Sequence, residues 1–488
     1  MPETMDDMTN KAQRGKGPLL MFSKGTLAVL GSIILLLVLI ASRNTPHAEN
    51  ASLKNPVTEL TSCRFVLASL DGNQPIDEDI ARQQALIRSG STSGLERLGW
   101  TFVKKARLTF DASYYNLAEQ CAECMAASGT NNPDALLLRA HALQSLHRFN
   151  EAEAVARQLV STRERPFDYG VLGDVLIDEG KVREGAAAYQ KMIDLRPDLQ
   201  SYARAAHVRW LTGDLKGAIE LMRLAVTGSS PNDAEAAAWA YTRLSLYQLQ
   251  QGETKQALES CSAALTLQND HAPALLARGR ILLALHRTAE AAVELQHAAT
   301  LNPLPEYQWA LADALVLTGD RERAREVETQ IVVRGANEDP RPFSLYLATR
   351  GQDLAQAVYV AQRELTDRGD VFSHDALAWA LAVAGRVTEA QPHARQALSE
   401  ATVDARLFLH AGIIAALNND TTQAKRYLQK ASLIQQMLLP SERTQLEAWQ
   451  QKINLASTVG VALRGRPRFD TLCFRAGAAT EGRPYSCL

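Results

Sequence analysis

The sequence predicts an all-helical fold of about ten helix pairs in series, preceded by one apolar helix near the N-terminus. Three observations carry this. Small residues recur with a period of about 34, glycine turns recur at a fixed offset from them, and alanine is abundant while β-branched runs are scarce. The last bias favours helix, because alanine loses no side-chain entropy there and β-branched residues lose χ1 freedom.

The period is read by aligning one small residue in the second helix of each pair: Ala118, Ala152, Gly185, Ala218, Ala257, Ala291, Ala324, Ala357, Ala390 and Ala424. Successive spacings are 34, 33, 33, 39, 34, 33, 33, 33 and 34. The single long spacing carries about five extra residues, which the turn-rich stretch Thr227 to Asp233 is expected to hold as loop. Twelve residues before each aligned position stand Ala106, Ala140, Gly173, Ala206, Ser245, Gly279, Ala312, Leu345, Ala378 and Gly412. Only Leu345 is bulky, so its unit is expected to bend or stack loosely. Seven residues after the first set, Ala225, Ala264, Ala298, Ala397 and Ala431 recur. Antiparallel helices approach closely only where side chains are small, and each pair must also stack on the next. Gly180, Gly213, Gly252, Gly319 and Gly385 fall between the paired helices, where glycine supplies a left-handed cap. The first unit lacks that glycine. Pro133, Pro166, Pro197, Pro231, Pro273 and Pro303 suit helix first turns and loops.

These small positions and unit ends, among them Asp194-Leu195-Arg196-Pro197-Asp198 and Thr300-Leu301-Asn302-Pro303, resemble the tetratricopeptide repeat (TPR) family over residues 96–437. The resemblance implies a TPR-type α-solenoid, a right-handed superhelix whose first helices line a concave groove. It also implies that the residue after each small first-helix position points into that groove. In order these are Arg107, His141, Asp174, His207, Leu246, Arg280, Asp313, Tyr346, Trp379 and Ile413. Eight of them, Ile413 and Leu246 set aside, are the candidate partner-binding residues. Trp210, Trp239 and Trp309 lie on the same helices. The N-terminal half of the set is charged or imidazole-bearing and the C-terminal end aromatic and aliphatic. An extended peptide or a partner helix is the expected occupant. The Lys/Asn/Arg carboxylate clamp of chaperone-binding members of the family is not seen.

Thr26 to Ala41 holds sixteen residues without a charge. At about 1.5 Å per residue such a helix spans roughly 24 Å, a little under the bilayer core, and Leu19 to Phe22 extend it by a turn. Lys11, Arg14, Lys16 and Lys24 precede it, whereas only Arg43 and Lys54 follow before residue 60. The positive-inside rule then sets the N-terminus in the cytoplasm and the array on the periplasmic or extracellular side. The competing reading is a cleaved signal peptide and a secreted soluble protein, but Ala48 has Pro46 at −3 and Ala41 has Leu39, a poor fit to a cleavage site. Leu60-Thr61-Ser62-Cys63 resembles a lipoprotein box but lies some twenty residues beyond the apolar run, so Cys63 reads as an ordinary cysteine. The expected organisation is a cytoplasmic tail (1–25), a transmembrane signal anchor (26–42) in contact with the lipid bilayer, a linker and N-terminal capping helix (43–95), the array (96–437), a C-terminal capping helix (438–455) and an irregular tail (456–488).

Chemistry is sparse. The net charge of −2 gives no basic stripe for nucleic acid. No phosphate-binding glycine loop, dinucleotide turn, His-Glu-x-x-His or Gly-x-Ser-x-Gly is present. No cofactor and no catalytic residue are expected. Cys121-Ala122-Glu123-Cys124 has C-x-x-C spacing, which leaves a thiol–disulfide or metal accessory role as the alternative to a scaffold. It falls inside a helix, with no second pair for zinc. The ten histidines are scattered and read as surface or groove residues. Cys473 and Cys487 close a small loop if the compartment is oxidising. Self-association through the groove is a further expectation for the array.

Overall fold

The computed structural model describes residues 61–91, 94–127, 132–230 and 233–459. The predicted cytoplasmic tail, the anchor at 26–42 and the tail from 460, with Cys473 and Cys487, lie outside them. Among the described residues no helix is long and apolar enough to cross a membrane.

Ten helix pairs follow one another. They are Gly94–Thr109 with Ser113–Ala127, Pro133–Ser145 with Phe149–Thr162, Pro166–Asp178 with Val182–Leu195, Leu199–Leu211 with Leu215–Thr227, and Ala234–Gln251 with Thr254–Leu267. Then come Ala272–Ala284 with Thr288–Leu301, Pro305–Thr318 with Arg321–Glu338, Pro340–Arg350 with Leu354–Asp367, Val371–Val383 with Val387–Ala397, and Ala405–Leu417 with Thr421–Leu433. Pro75–Arg88 precedes the array, and a short 3-10 turn, Gln435–Met437, leads into the last helix, Pro440–Val459. Thr61–Val66 is a further helix within the stretch expected to be linker.

The small positions do what their spacing demands. A Cβ on Gly173 would overlap the Tyr189 ring, and one on Gly412 would sit 2.8 Å from the Leu428 side chain. Both neighbours stand sixteen residues later on the paired helix, so the small residue is the seat for a large one. Aspartates accept the free N–H groups at helix starts, as Asp214 does from Gly217 and Asp370 from Ser373. Where a glycine turn is missing, another residue takes the left-handed conformation: Phe110 (φ 55°) in the first unit, His147 in the second and Asn419 in the tenth.

Two details depart from expectation. Four of the extra residues of the fifth unit lengthen its first helix, which starts eleven residues before Ser245, whereas the fourth unit's helix starts seven before Ala206. An alanine-rich run gains more from an added helical turn than from loop. Leu345 does not loosen its unit: the side chain is buried, and its helix is short at eleven residues.

Candidate functional site: the concave face

First-helix residues line the inner face, as the repeat phase implies. The face has three stretches with different fates.

The N-terminal stretch is partly open, with Arg107 exposed and Trp100 and His141 half-buried. The Arg107 guanidinium lies 3.2 Å from His141 Nε2, one repeat period along the chain. Trp100 packs against the His141 ring at 5.4 Å. Burial, then the Arg107 charge, holds His141 down to about 3, so it is neutral near pH 7. Asp174 is gripped by Arg204 at 2.7 and 2.8 Å and accepts the Tyr189 hydroxyl at 2.7 Å. Burial is the largest single influence and raises its pKa, but the Arg204 charge together with the hydrogen bonds from Arg204 and Tyr189 outweighs it and leaves the pKa below the ordinary value.

The middle stretch is a cavity of about 520 Å³ walled by both halves of the array. His207, Trp210, Arg243 and Arg280 stand on one side; Phe372, Asp375, Glu400 and Arg406 stand on the other. The halves meet along a seam. Thr402 Oγ1 donates to the Leu211 carbonyl at 2.6 Å, and Gln250 Nε2 donates to the Val403 carbonyl at the same distance. The Trp210 and Phe372 rings stack at 5.7 Å. Gly180 and Gly213 take φ of 76° and 87°, and a Cβ on either would run into a backbone carbonyl across the seam, Gly369 or Ala401. Their lack of a side chain is what lets the halves touch.

The C-terminal stretch is filled by the chain itself. Arg280 donates to the Met437 carbonyl at 2.8 Å, and Gln436 donates to the Gln250 carbonyl at 3.0 Å. Asp313 takes Ser441 Oγ at 2.7 Å and the Ser441 amide at 2.9 Å, while Arg350 pairs with its other oxygen at 2.7 Å. Glu442 pairs with Arg406, and Gln445 donates to the Thr349 carbonyl at 3.0 Å. The helix expected to cap the array end therefore also runs up its inner face.

This separates the eight candidate residues. Arg107 and His141 face the partly open stretch, and Asp174 lies beside them in its pair with Arg204. His207 and Arg280 line the cavity. Asp313, Tyr346 and Trp379 are buried within the fold: Tyr346 packs edge-on to Trp309 at 5.8 Å, and Trp379 donates to Thr349 at 3.1 Å and stacks on His410 at 4.4 Å. Ile413 is buried too. These positions do not present the aromatic binding end that their residue types suggested.

The cysteine motif is also redistributed. Cys124 is bonded to Cys63, with Cα atoms 5.5 Å apart and both side chains fully buried. Cys121 is a separate, buried free cysteine whose pKa burial raises well above the ordinary value. The two motif cysteines thus do not form a redox couple, and no cluster of metal-ligating residues occurs among the described residues.

Sequence reading missed one buried arrangement. His410 Nδ1 lies 2.8 Å from Asp375, thirty-five residues earlier. That separation is almost one repeat period, as it is for Arg107 and His141 and for Gln144 and Asp178. Pairs one period apart are neighbours on adjacent first helices, and that was the available signal.

No family model matches the chain, and no curated protein matches it. Solved structures do resemble it. The APC/C hetero-tetramer Cut9-Hcn1 is 16% identical, with 80% of this chain and 65% of that chain covered and a TM-score of 0.40. The human IFIT1 dimer with PPP-AAAA is 12% identical, with 73% and 85% covered and a TM-score of 0.43. YrrB, described as a TPR protein with an unusual peptide-binding site, is 16% identical, with 37% and 92% covered and a TM-score of 0.27. This chain spans about two thirds of the first structure's length. The helix pairing, the 33–34-residue phase and the small-residue seats make it an all-α solenoid of tetratricopeptide-repeat type.

Proposed function

We propose that this protein is a membrane-anchored scaffold that holds a partner protein on its concave face, on the periplasmic or extracellular side of the membrane, in envelope assembly or secretion. The observation that carries the binding reading is the partly open stretch of Trp100, Arg107 and His141. It sets an indole ring and a guanidinium, two of the residue types that dominate protein recognition, beside a neutral imidazole. The middle of the face is a cavity crossed by the seam, and the C-terminal stretch is filled by the chain itself. The Cys63–Cys124 bond supports the topology, because buried structural disulfides persist in oxidising compartments. It agrees with the charge asymmetry around residues 26–42.

The test is in-cell crosslinking and affinity capture with full-length protein, comparing wild type with Trp100→Ala/Arg107→Ala. A defined set of envelope proteins captured by the wild type and lost in the folded variant supports the reading. Equal capture by both rules out this stretch. Protease shaving of sealed cells tests the topology, and an array protected on the cytoplasmic side overturns it.

A further inference from the structure

Five guanidinium groups reach the wall of the central cavity. Four are matched by carboxylates: Arg280 by Glu306 at 3.2 Å, Arg341 by Asp370 at 3.0 Å, Arg368 by Asp178 at 3.5 Å, and Arg406 by Glu442. Arg243 is not. It forms no ion pair among the described residues; it lies over the Tyr247 and Trp210 rings at 5.3 and 5.9 Å and donates to the Tyr247 hydroxyl at 3.3 Å. The rings and the Tyr247 hydroxyl hold the guanidinium at the wall, where no carboxylate among the described residues pairs with it. Trp210 is itself fixed, because its indole N–H donates to Gln250 at 2.8 Å and the same Gln250 closes the seam.

We infer that this cavity is a binding site for a small molecule with one oxyanion group, a carboxylate or a phosphate, held by the Arg243 guanidinium. Four properties of the wall support this. A planar guanidinium matches two oxygens of a carboxylate or phosphate side by side. The volume lies in the range of small-molecule pockets. The seam denies passage to an extended polypeptide, so the occupant is small. Glu400 and Asp404, which line the wall and form no ion pair among the described residues, disfavour a second negative group, whereas Leu246 and Phe372 offer an apolar surface. The ligand therefore carries its charge at one end and an uncharged body at the other. This inference does not rest on the partner-binding reading, which uses a different stretch of the face.

The experiment is calorimetric titration of the purified full-length chain with hexanoate and, separately, phenyl phosphate. The expected result is saturable one-site binding of at least one probe in the millimolar range or tighter; which probe binds better separates a carboxylate from a phosphate source. Arg243→Gln is expected to weaken that binding about tenfold or more. Saturable binding of neither probe overturns the inference, as does unchanged binding by a folded Arg243→Gln. If Arg243→Gln does not fold, Leu246→Trp decides: it fills the cavity without altering charge, so lost binding supports the site and unchanged binding overturns it.

Discussion

Asp313 and Ser441 are 128 residues apart, and the carboxylate of one takes both the hydroxyl and the amide of the other. Asp313 is nearly fully buried, and Arg350 holds its second oxygen. The pair fastens the last helix to the inner face of the seventh unit. Ser441→Ala removes one charge-assisted bond at a desolvated site, and an expected loss of about 1–3 kcal/mol follows. Denaturant unfolding measures it, with hydrogen exchange expected to rise first along residues 440–450.

The seam leaves no space for a side chain at Gly180. Gly180→Ala meets the Gly369 carbonyl and imposes a left-handed backbone on alanine. The expected cost is about 1–3 kcal/mol. Scattering should report a wider particle, because the two halves separate while the helix pairs stay intact. An unchanged profile and stability would show that the seam is not closed in solution.

Reduction of the Cys63–Cys124 bond frees the helix Thr61–Val66 from the first unit. The bond closes a loop of about sixty residues, and its loss is expected to cost about 2–4 kcal/mol. Cys63→Ser should reproduce the effect in the absence of reductant. Cys121 and Cys261 should stay unlabelled by alkylating reagent in the folded protein, since burial raises both pKa values, that of Cys261 to about 12.

His271 starts the first helix of the sixth unit and is buried, which holds its pKa down to about 4 against an ordinary 6.5. The unfolded chain therefore binds a proton between these values that the folded chain refuses. Stability is lost as pH falls from about 6.5 towards 4. Between pH 7 and pH 5, wild type should lose about 1–2 kcal/mol more than His271→Gln, measured by urea unfolding at both pH values. Equal losses would remove His271 as the cause.

The array was legible because its signal is repeated. Ala118 or Gly185 alone says little, but ten such positions in phase specify where every helix pair packs, and all ten pairs form there. The neighbourhood of Arg107 and His141 was legible for the same reason, since they stand one repeat period apart. Tyr346 and Trp379 were misread because periodicity reports which face a residue occupies, not what later covers that face. The contacts that cover it, Gln445 to Thr349 and Ser441 to Asp313, join segments with no periodic relation. The partner of Cys124 was hidden likewise: the nearest cysteine in sequence is Cys121, but an α-helix turns residues three apart to one face without bringing their sulfurs into bonding geometry, whereas Cys63 arrives from another helix.

A stack of repeats ordinarily unfolds like a frayed rope, each unit sensing only its neighbours. The bond from Thr402 to the Leu211 carbonyl links positions 191 residues apart and ties two distant points of that rope together. Damage to the segment between the ninth and tenth units is then expected to be felt in the fourth and fifth, and the chain to melt in one step rather than by peeling from its ends. The same tie delays completion of the fold, since a loop of that length must close before the knot can form.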